Sequence, residues 1–192
     1  IYIEHQCNKG VAYSRDEAVE ICSTDFFIMF DAHMRAFTPK WATLLINELE
    51  KEDRTLFCCT TVALDGKAKL LEDLNTGGYG VIMNIPELSY EWNSVWHDDF
   101  DNNNTMTINC VMGASYACNV KYWKYLKGLE GLRSYGLDEQ FISIKVSLEG
   151  GKCKVIRNII FGHIFRTAET VPYDIKTADF IFNNMYLMEL LY

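Results

Sequence analysis

The sequence predicts an α/β fold in which buried strands alternate with helices. One unbroken apolar run, Phe26–Phe30, lies between polar residues, which is typical of a strand buried on both faces inside a parallel sheet. Thr38 and Pro39 then supply an N-cap and a first helical residue. A second β-forming run, Thr55–Leu64, follows that helix, so residues 26–64 form a strand–helix–strand unit.

The elements before this unit are a short strand and a helix. Residues 1–4 alternate in a β pattern, and residues 8–10 have the composition of a turn. Residues 11–22 carry their apolar side chains at helical spacing. Arg15 and Asp16 lie in the first half of this helix, where we interpret them as part of a solvated face.

Further helices and strands are predicted along the rest of the chain. The helix that starts at Pro39 is expected to end near Asp53. A Gly-rich loop at 73–80 lacks the GxxxxGK(S/T) spacing of a phosphate-binding loop and predicts a turn. The later predictions are strands at 79–85, 106–112, 115–118 and 154–161, helices at 120–127, 137–148 and 178–191, and a long surface excursion at 87–104.

Length and composition narrow the class of protein. The chain has 192 residues and a mass of 22.2 kDa, and we expect one domain, 1–192. A net charge of −8 argues against nonspecific binding to nucleic acid or to an anionic membrane. A polyanionic ligand would therefore need a local cation, such as a bound metal ion.

The length of the apolar runs and the use of cysteine indicate where in the cell the protein is expected. No apolar run approaches the roughly 18 residues of a membrane span, so no transmembrane segment is expected. The sequence holds seven cysteines and no CxxC pair. This usage favours a reducing compartment, and we expect a cytoplasmic protein.

Polar side chains after two of the strands can form a metal site. Asp31 and His33 follow the first apolar run and, two positions apart, share a face of an extended backbone. His163 follows a late strand. Open α/β sheets present their chemistry beyond the strand ends, and one carboxylate with two imidazoles suits a divalent metal. A capping Asp and a packed His explain the same residues, so the spacing alone leaves both interpretations open.

Five stretches of the sequence resemble known glycosyltransferases. Residues 31–41, DAHMRAFTPKW, resemble the "DAHCE…W" element of the polypeptide N-acetylgalactosaminyltransferases. Residues 112–131 and 134–156 are similar to that family's "GGLF…YF…LGGYD" and "WGGENxExSxRxWxCGG" stretches, and FGHIFR at 161–166 is similar to "GH(I/V)FR". Residues 8–20, NKGVAYSRDEAVE, resemble the "NxGxxxARNxA" helix of the broader family-2-like glycosyltransferases.

The resemblance implies a GT-A glycosyltransferase, with a mixed central sheet flanked by helices. It implies transfer of a sugar, expected to be an N-acetylhexosamine, from a UDP-sugar donor to a glycan, lipid or protein acceptor. The implied cofactor is Mn²⁺, or Mg²⁺, held by Asp31, His33 and His163. The donor would be the small-molecule partner, and no nucleic-acid partner is expected.

The same motifs imply roles for the other residues of the site. Arg166 would contact the diphosphate of the donor, and Gly113 and Ala114 would line the sugar pocket. Arg15 is a further candidate for the donor site. Tyr135 stands where the family has Trp beside that pocket.

Two acidic residues are the catalytic candidates implied by the resemblance. Asp138 falls on the acidic position of the WGG stretch and would bind the donor sugar or the acceptor. Inverting relatives place a general base on the helix that begins there, which makes Glu139 the second candidate. The DxH and GHIFR motifs favour the retaining family. Retention and inversion at the anomeric carbon therefore both stay open.

The sequence also departs from the family. Leu137 replaces a Gly, Asn119 stands where Asp is frequent, and Pro172-Tyr173 come later than the family's Pro-Tyr pair. The opening strand and helix of a GT-A domain, which hold the nucleobase, are absent before Ile1, so we expect an N-terminally truncated domain.

Two alternatives follow from the same residues. A non-haem iron oxygenase can use two His and one carboxylate, but such sites usually lie on all-β folds, whereas this chain alternates helices and strands. A non-catalytic sugar-nucleotide or protein-binding domain of the GT-A fold is the second alternative.

Overall fold

The computed structural model describes residues 1–71, 73–74, 77–86, 89–95, 104–166, 171 and 174–191. Within these ranges the chain forms both strands and helices, as the sequence predicts. The helices are α1 (Val11–Glu20), α2 (Trp41–Leu49), α3 (Val120–Tyr125), α4 (Asp138–Leu148) and α5 (Thr177–Glu189). The strands are β1 (Phe26–Phe30), β2 (Met34–Ala36), β3 (Thr55–Leu64), β4 (Val81–Asn84), β5 (Ser89–Trp92), β6 (Thr105–Ile108), β7 (Ser115–Asn119) and β8 (Lys152–Ile164).

A mixed six-stranded sheet forms the centre of the molecule. Its order is β1-β7-β3-β8-β2, and β6 also pairs with β8. The long pair β3 and β8 is parallel, and the other pairs of this sheet are antiparallel. The predicted α/β fold with a mixed sheet is confirmed.

The sheet order corrects one prediction. β1 and β3 run in the same direction, but β7 lies between them and is antiparallel to both. Because β7 is its one sheet partner among the described strands, β1 lies at the sheet edge. Met29 is its one buried residue and Phe30 is exposed, so the prediction that this run is buried on both faces is wrong. β3, with nine of ten residues buried, fits that prediction instead.

The core covers both faces of the sheet. Side chains alternate along a strand, so Leu56 and Cys58 of β3 pack into one cluster with α4 residues such as Phe141. Phe57 and Cys59 pack into a second cluster with Leu45 and Leu49 of α2. Helices on both faces of a mixed sheet give a three-layer arrangement.

Several element boundaries differ from the prediction. Residues 1–4 form no strand and are exposed. Thr38 does not cap α2, which begins at Trp41 and ends at Leu49. Instead, the Thr38 hydroxyl donates to the Asn158 carbonyl and accepts from the N–H of Ile160, which ties this loop to β8.

The predicted excursion at 87–104 contains a strand. β5 pairs with β4 in an antiparallel two-stranded sheet. Residues 87–88 and 96–103 lie outside the described ranges, as does the Pro172-Tyr173 pair. None of the helices in the described part of the chain has the length and apolar character needed to cross a membrane.

Candidate active site

A cleft of about 630 Å³ opens beyond the C-terminal end of β1. It lies beside the start of α4, the end of β8 and the β4–β5 hairpin. All ten residues that the sequence singles out line this cleft: Arg15, Asp31, His33, Gly113, Ala114, Tyr135, Asp138, Glu139, His163 and Arg166. Five segments far apart in sequence therefore meet at one surface.

Backbone pairing brings the candidate metal ligands together. Asp31 follows β1 directly, and its N–H donates to the Ala114 carbonyl at 3.0 Å. Met34 of β2 pairs with His163 of β8, and the N–H of Ile164 donates to the His33 carbonyl at 3.3 Å. The β2–β8 pairing thus sets His33 beside His163, with ring centroids 4.6 Å apart.

The donor atoms of Asp31, His33 and His163 lie within 4.8 Å of one another. Nε2 of His163 is 3.2 Å from Oδ2 of Asp31. His163 is 7% exposed, and its Nδ1 has no hydrogen-bond partner among the described residues. One oxygen and two nitrogen donors in a small space fit a divalent cation such as Mn²⁺.

The charge states of these groups suit metal binding. Burial alone would raise the pKa of Asp31, but its hydrogen bond to His163 and the charge of Arg15 hold the pKa below its ordinary value. Partial burial and the neighbouring His163 lower the pKa of His33. An ionised carboxylate and a neutral imidazole are the forms that coordinate a metal ion.

Arg15 connects the candidate metal site to the start of α4. Its guanidinium donates to Asp31 Oδ1 at 3.0 Å and also to Asp138 Oδ2. It donates further to the Tyr116 hydroxyl and the Gly113 carbonyl, each at 3.2 Å. Burial opposes its charge, yet these neighbours raise the pKa of Arg15 above its ordinary value. The interpretation of Arg15 as part of a solvated face is wrong.

Asp16, on the same helix, is also not a solvated residue. Its carboxylate accepts hydrogen bonds from Nε1 of Trp123 and from the backbone N–H of Leu129. These contacts join α1 to α3 and to the segment that follows it. The contacts of Arg15 and Asp16 together fix the position of α1 against the cleft.

The two acids at the start of α4 have different surroundings. Asp138 is buried and paired with Arg15. Glu139 has no such cation in hydrogen-bond contact among the described residues. Burial first, and then the charge of Asp138, raise the pKa of Glu139 to about 8. Two neighbouring carboxyl groups with separated pKa values can take different chemical roles.

The remaining predicted residues form the walls of the cleft. A Cβ atom on Gly113 would clash with the Glu139 carboxyl group in its present position. Position 113 therefore accommodates only glycine unless that carboxyl group moves. Tyr135 is 38% exposed at the rim. Arg166 is the second residue after β8. Its positive charge lies close enough to His33 to lower the pKa of that imidazole.

The cleft also has aromatic lining residues that the sequence did not predict. Tyr90 and Trp92 of β5 line the cleft, and Trp92 contacts Phe165 with ring centroids 4.4 Å apart. Phe165 in turn contacts the ring of His163 at 4.3 Å. Polar and aromatic residues alternate at 89–92, which is a pattern typical of a strand. These residues lie inside the segment 87–104 that was predicted to be a surface excursion.

The mixed central sheet flanked by helices is a GT-A glycosyltransferase fold. A solved structure of GalNAc-T7 with UDP, GalNAc and Mn²⁺ is similar to this chain with a TM-score of 0.82 and 16% sequence identity. The match covers 96% of this chain and 36% of that chain, so this chain spans about a third of the GalNAc-T7 chain. At this identity the similarity establishes the fold.

Residues 1–165 match the family model described as glycosyl transferase family 2, and the chain belongs to this family. A structure of the inositol-1-phosphate CTP transferase from T. maritima also matches, with 13% identity over 95% of this chain and 63% of that chain. Its TM-score is 0.39.

Proposed function

We propose that this protein transfers a sugar from a UDP-sugar donor to an acceptor hydroxyl, with Mn²⁺ or Mg²⁺ bound by Asp31, His33 and His163. The observation that carries the proposal is the convergence of these three donors with two acids and two arginines in one cleft. Membership of a glycosyltransferase family supports the reaction class.

The residues around the three donors suit a diphosphate leaving group. The net charge of the protein is −8, so a nucleoside diphosphate needs local positive charge to bind. A bound divalent cation would supply that charge as a Lewis acid. Arg166 lines the same cleft and would donate hydrogen bonds to the diphosphate oxygens.

The proposal also specifies the donor substrate: its nucleotide is UDP and its sugar is an N-acetylhexosamine. Support comes from the motif resemblance and from the UDP, GalNAc and Mn²⁺ named for the GalNAc-T7 structure. Tyr135, one of the departures from the family motif, lines the cleft and is expected to affect which sugar is bound.

Glu139 is the better of the two candidates for the general base. Asp138 is paired with Arg15 and would hold that cation and the substrate in place. Glu139 has a pKa of about 8, and a base works best when its pKa is near the operating pH. Its carboxylate would take the proton of the acceptor hydroxyl as the new C–O bond forms and the bond to the diphosphate breaks. This role favours inversion at the anomeric carbon.

The acceptor and the location are also part of this proposal. The acceptor is a glycan, a lipid or a protein that presents a hydroxyl group to Glu139. We propose a cytoplasmic location because the seven cysteines, all within the described ranges, are unpaired.

The test is release of UDP from UDP-GlcNAc and from UDP-GalNAc in the presence of Mn²⁺, with water as the hydroxyl that accepts the sugar. We expect release from at least one donor, and a decrease of about 10²- to 10⁴-fold in Glu139→Gln. Glu50→Gln, at an exposed position after α2, is the matched control and should keep full activity. Mn²⁺-dependent UDP binding without any UDP release would instead support the non-catalytic binding domain.

A further inference from the structure

Gln140 is a buried amide in the first turn of α4, next to Glu139. The residue is 5% exposed and lines the cleft. Its Nε2 donates to Oε1 of Glu139 at 3.3 Å. Its own Oε1 is buried and has no partner among the described residues. The motif resemblance does not point to Gln140, because the position falls on an unspecified residue of the WGGENxE stretch.

A half-satisfied amide is an unfavourable choice for a purely structural position. A buried polar atom without a hydrogen bond destabilises the folded state, because it has lost its hydrogen bonds to water. An apolar side chain of similar size has no such desolvation cost. The next two residues of α4, Phe141 and Ile142, are fully buried apolar core residues. Packing therefore does not explain the amide of Gln140. Among the described residues, the side-chain contact that this amide makes is with Glu139.

We propose that Gln140 is a positioning residue, whose amide N–H holds the carboxyl group of Glu139 in the cleft and stabilises its ionised form. This inference rests on the proposed role of Glu139 as the general base. Glu139 is half-buried and lies beside another acid, so a neutral hydrogen-bond donor helps to keep its carboxylate available. An amide provides that donor without neutralising the charge.

Among the described residues, the other side chains around Glu139 do not supply the same contact. Asp138 of α4 is negative, and the charge of Arg15 is shared with Asp138 and Asp31. The backbone of Glu139 also lowers the pKa of its own carboxyl group, so the Gln140 amide is a second neutral donor that adds to it. Burial first, and then neighbouring charges that include Glu139, raise the pKa values of Tyr90 of β5, Tyr116 of β7 and Cys110.

The experiment is a ¹³C-NMR titration of the Glu139 carboxyl group in the full chain with ¹³C-labelled glutamate and EDTA. The Glu139 signal is assigned by its absence in Glu139→Gln. We expect the titration midpoint to rise by about half a pH unit or more in both Gln140→Leu and Gln140→Met, which fill the site without an N–H donor. Gln6→Leu makes the same chemical change at an exposed position and should leave the midpoint unchanged.

The pH profile of UDP release should move in the same direction in the Gln140 variants. An unchanged midpoint in folded Gln140→Leu or Gln140→Met overturns the inference. If both apolar variants unfold, Gln140→Asn carries the test, because its shorter amide loses the contact and should also raise the midpoint. Absence of UDP release from the unmodified protein would contradict the proposed function, while the titration would still decide the contact between Gln140 and Glu139.

Discussion

Gly113 and the carboxyl group of Glu139 pack directly against each other in the lining of the cleft. A Cβ atom on Gly113 would lie 2.8 Å from both Cδ and Oε2 of the Glu139 carboxyl group. Real Cβ atoms do not approach other atoms this closely, so any side chain at position 113 must displace that group. The backbone of the β6–β7 connection and the first turn of α4 are thus matched in shape.

We predict that Gly113→Ala displaces the Glu139 carboxyl group and lowers the rate of UDP release. A catalytic group moved by about 1 Å can cost about 10²-fold in rate. The decrease should appear in kcat, with Mn²⁺-dependent binding of UDP retained. Gly66→Ala is the matched control, since a Cβ there meets nothing within 4 Å. Equal kcat values for the two variants would show that the contact has no catalytic consequence.

A second prediction concerns the buried charges around Arg15. Arg15→Met keeps the bulk of the side chain but leaves Asp138 buried and uncompensated, with side-chain exposures of 14% and 9% for the pair. Removal of one partner of a buried ion pair typically costs about 3 kcal/mol or more. Urea denaturation should show a loss of this size in the free energy of unfolding.

The control for this prediction is an exposed ion pair. Lys51 contacts Glu48 at 2.8 Å with its own side chain 55% exposed. Lys51→Met should therefore cost less than about 1 kcal/mol. The double variant Arg15→Met/Asp138→Asn should recover part of the loss, because it removes the uncompensated charge. A loss no larger than that of Lys51→Met would contradict the described Arg15 contacts.

The third prediction is a pH dependence of stability. The pKa of Glu139 lies at about 8 in the folded protein and near 4.5 when unperturbed. The folded protein therefore binds this proton more tightly than the unfolded chain. The Glu139 contribution to the free energy of unfolding is present below pH 4.5 and is lost as pH rises to 8, with a slope of at most about 1.4 kcal/mol per pH unit.

Glu139→Gln should remove this contribution. Urea denaturation in EDTA at several pH values between 5 and 8 would measure the slope for both proteins. The unmodified protein should lose stability with pH more steeply than the variant, and Glu50→Gln should behave like the unmodified protein. Parallel curves for all three proteins would show that Glu139 ionises normally.

The sequence predicted where the chemistry lies because strand ends and motifs are local features. Asp31 directly follows an apolar run and His163 lies at the end of another, so their meeting at one edge of a sheet could be expected. The motif resemblance then brought in residues from the other segments. All ten chosen residues line one cleft, although their individual roles stay predictions.

The sheet order and the environment of α1 could not be predicted in the same way. The place of β7 between β1 and β3 depends on antiparallel pairing between residues about ninety positions apart, such as Phe26 and Asn119. Arg15 and Asp16 look like solvated residues because their partners, Asp138 and Trp123, are more than a hundred positions away. Charge patterns along one helix do not report such contacts.

The binding of UDP with and without Mn²⁺, measured by isothermal titration calorimetry, tests the central claim most directly. The unmodified protein should bind UDP tightly only with Mn²⁺, and His163→Ala should lose this metal-dependent binding while it keeps its fold. His5→Ala is the matched control, because His5 contacts Glu17 at 2.6 Å on α1 and is not among the proposed ligands. Absent UDP binding, UDP binding of equal strength without metal, or unchanged metal-dependent binding in His163→Ala would contradict the account.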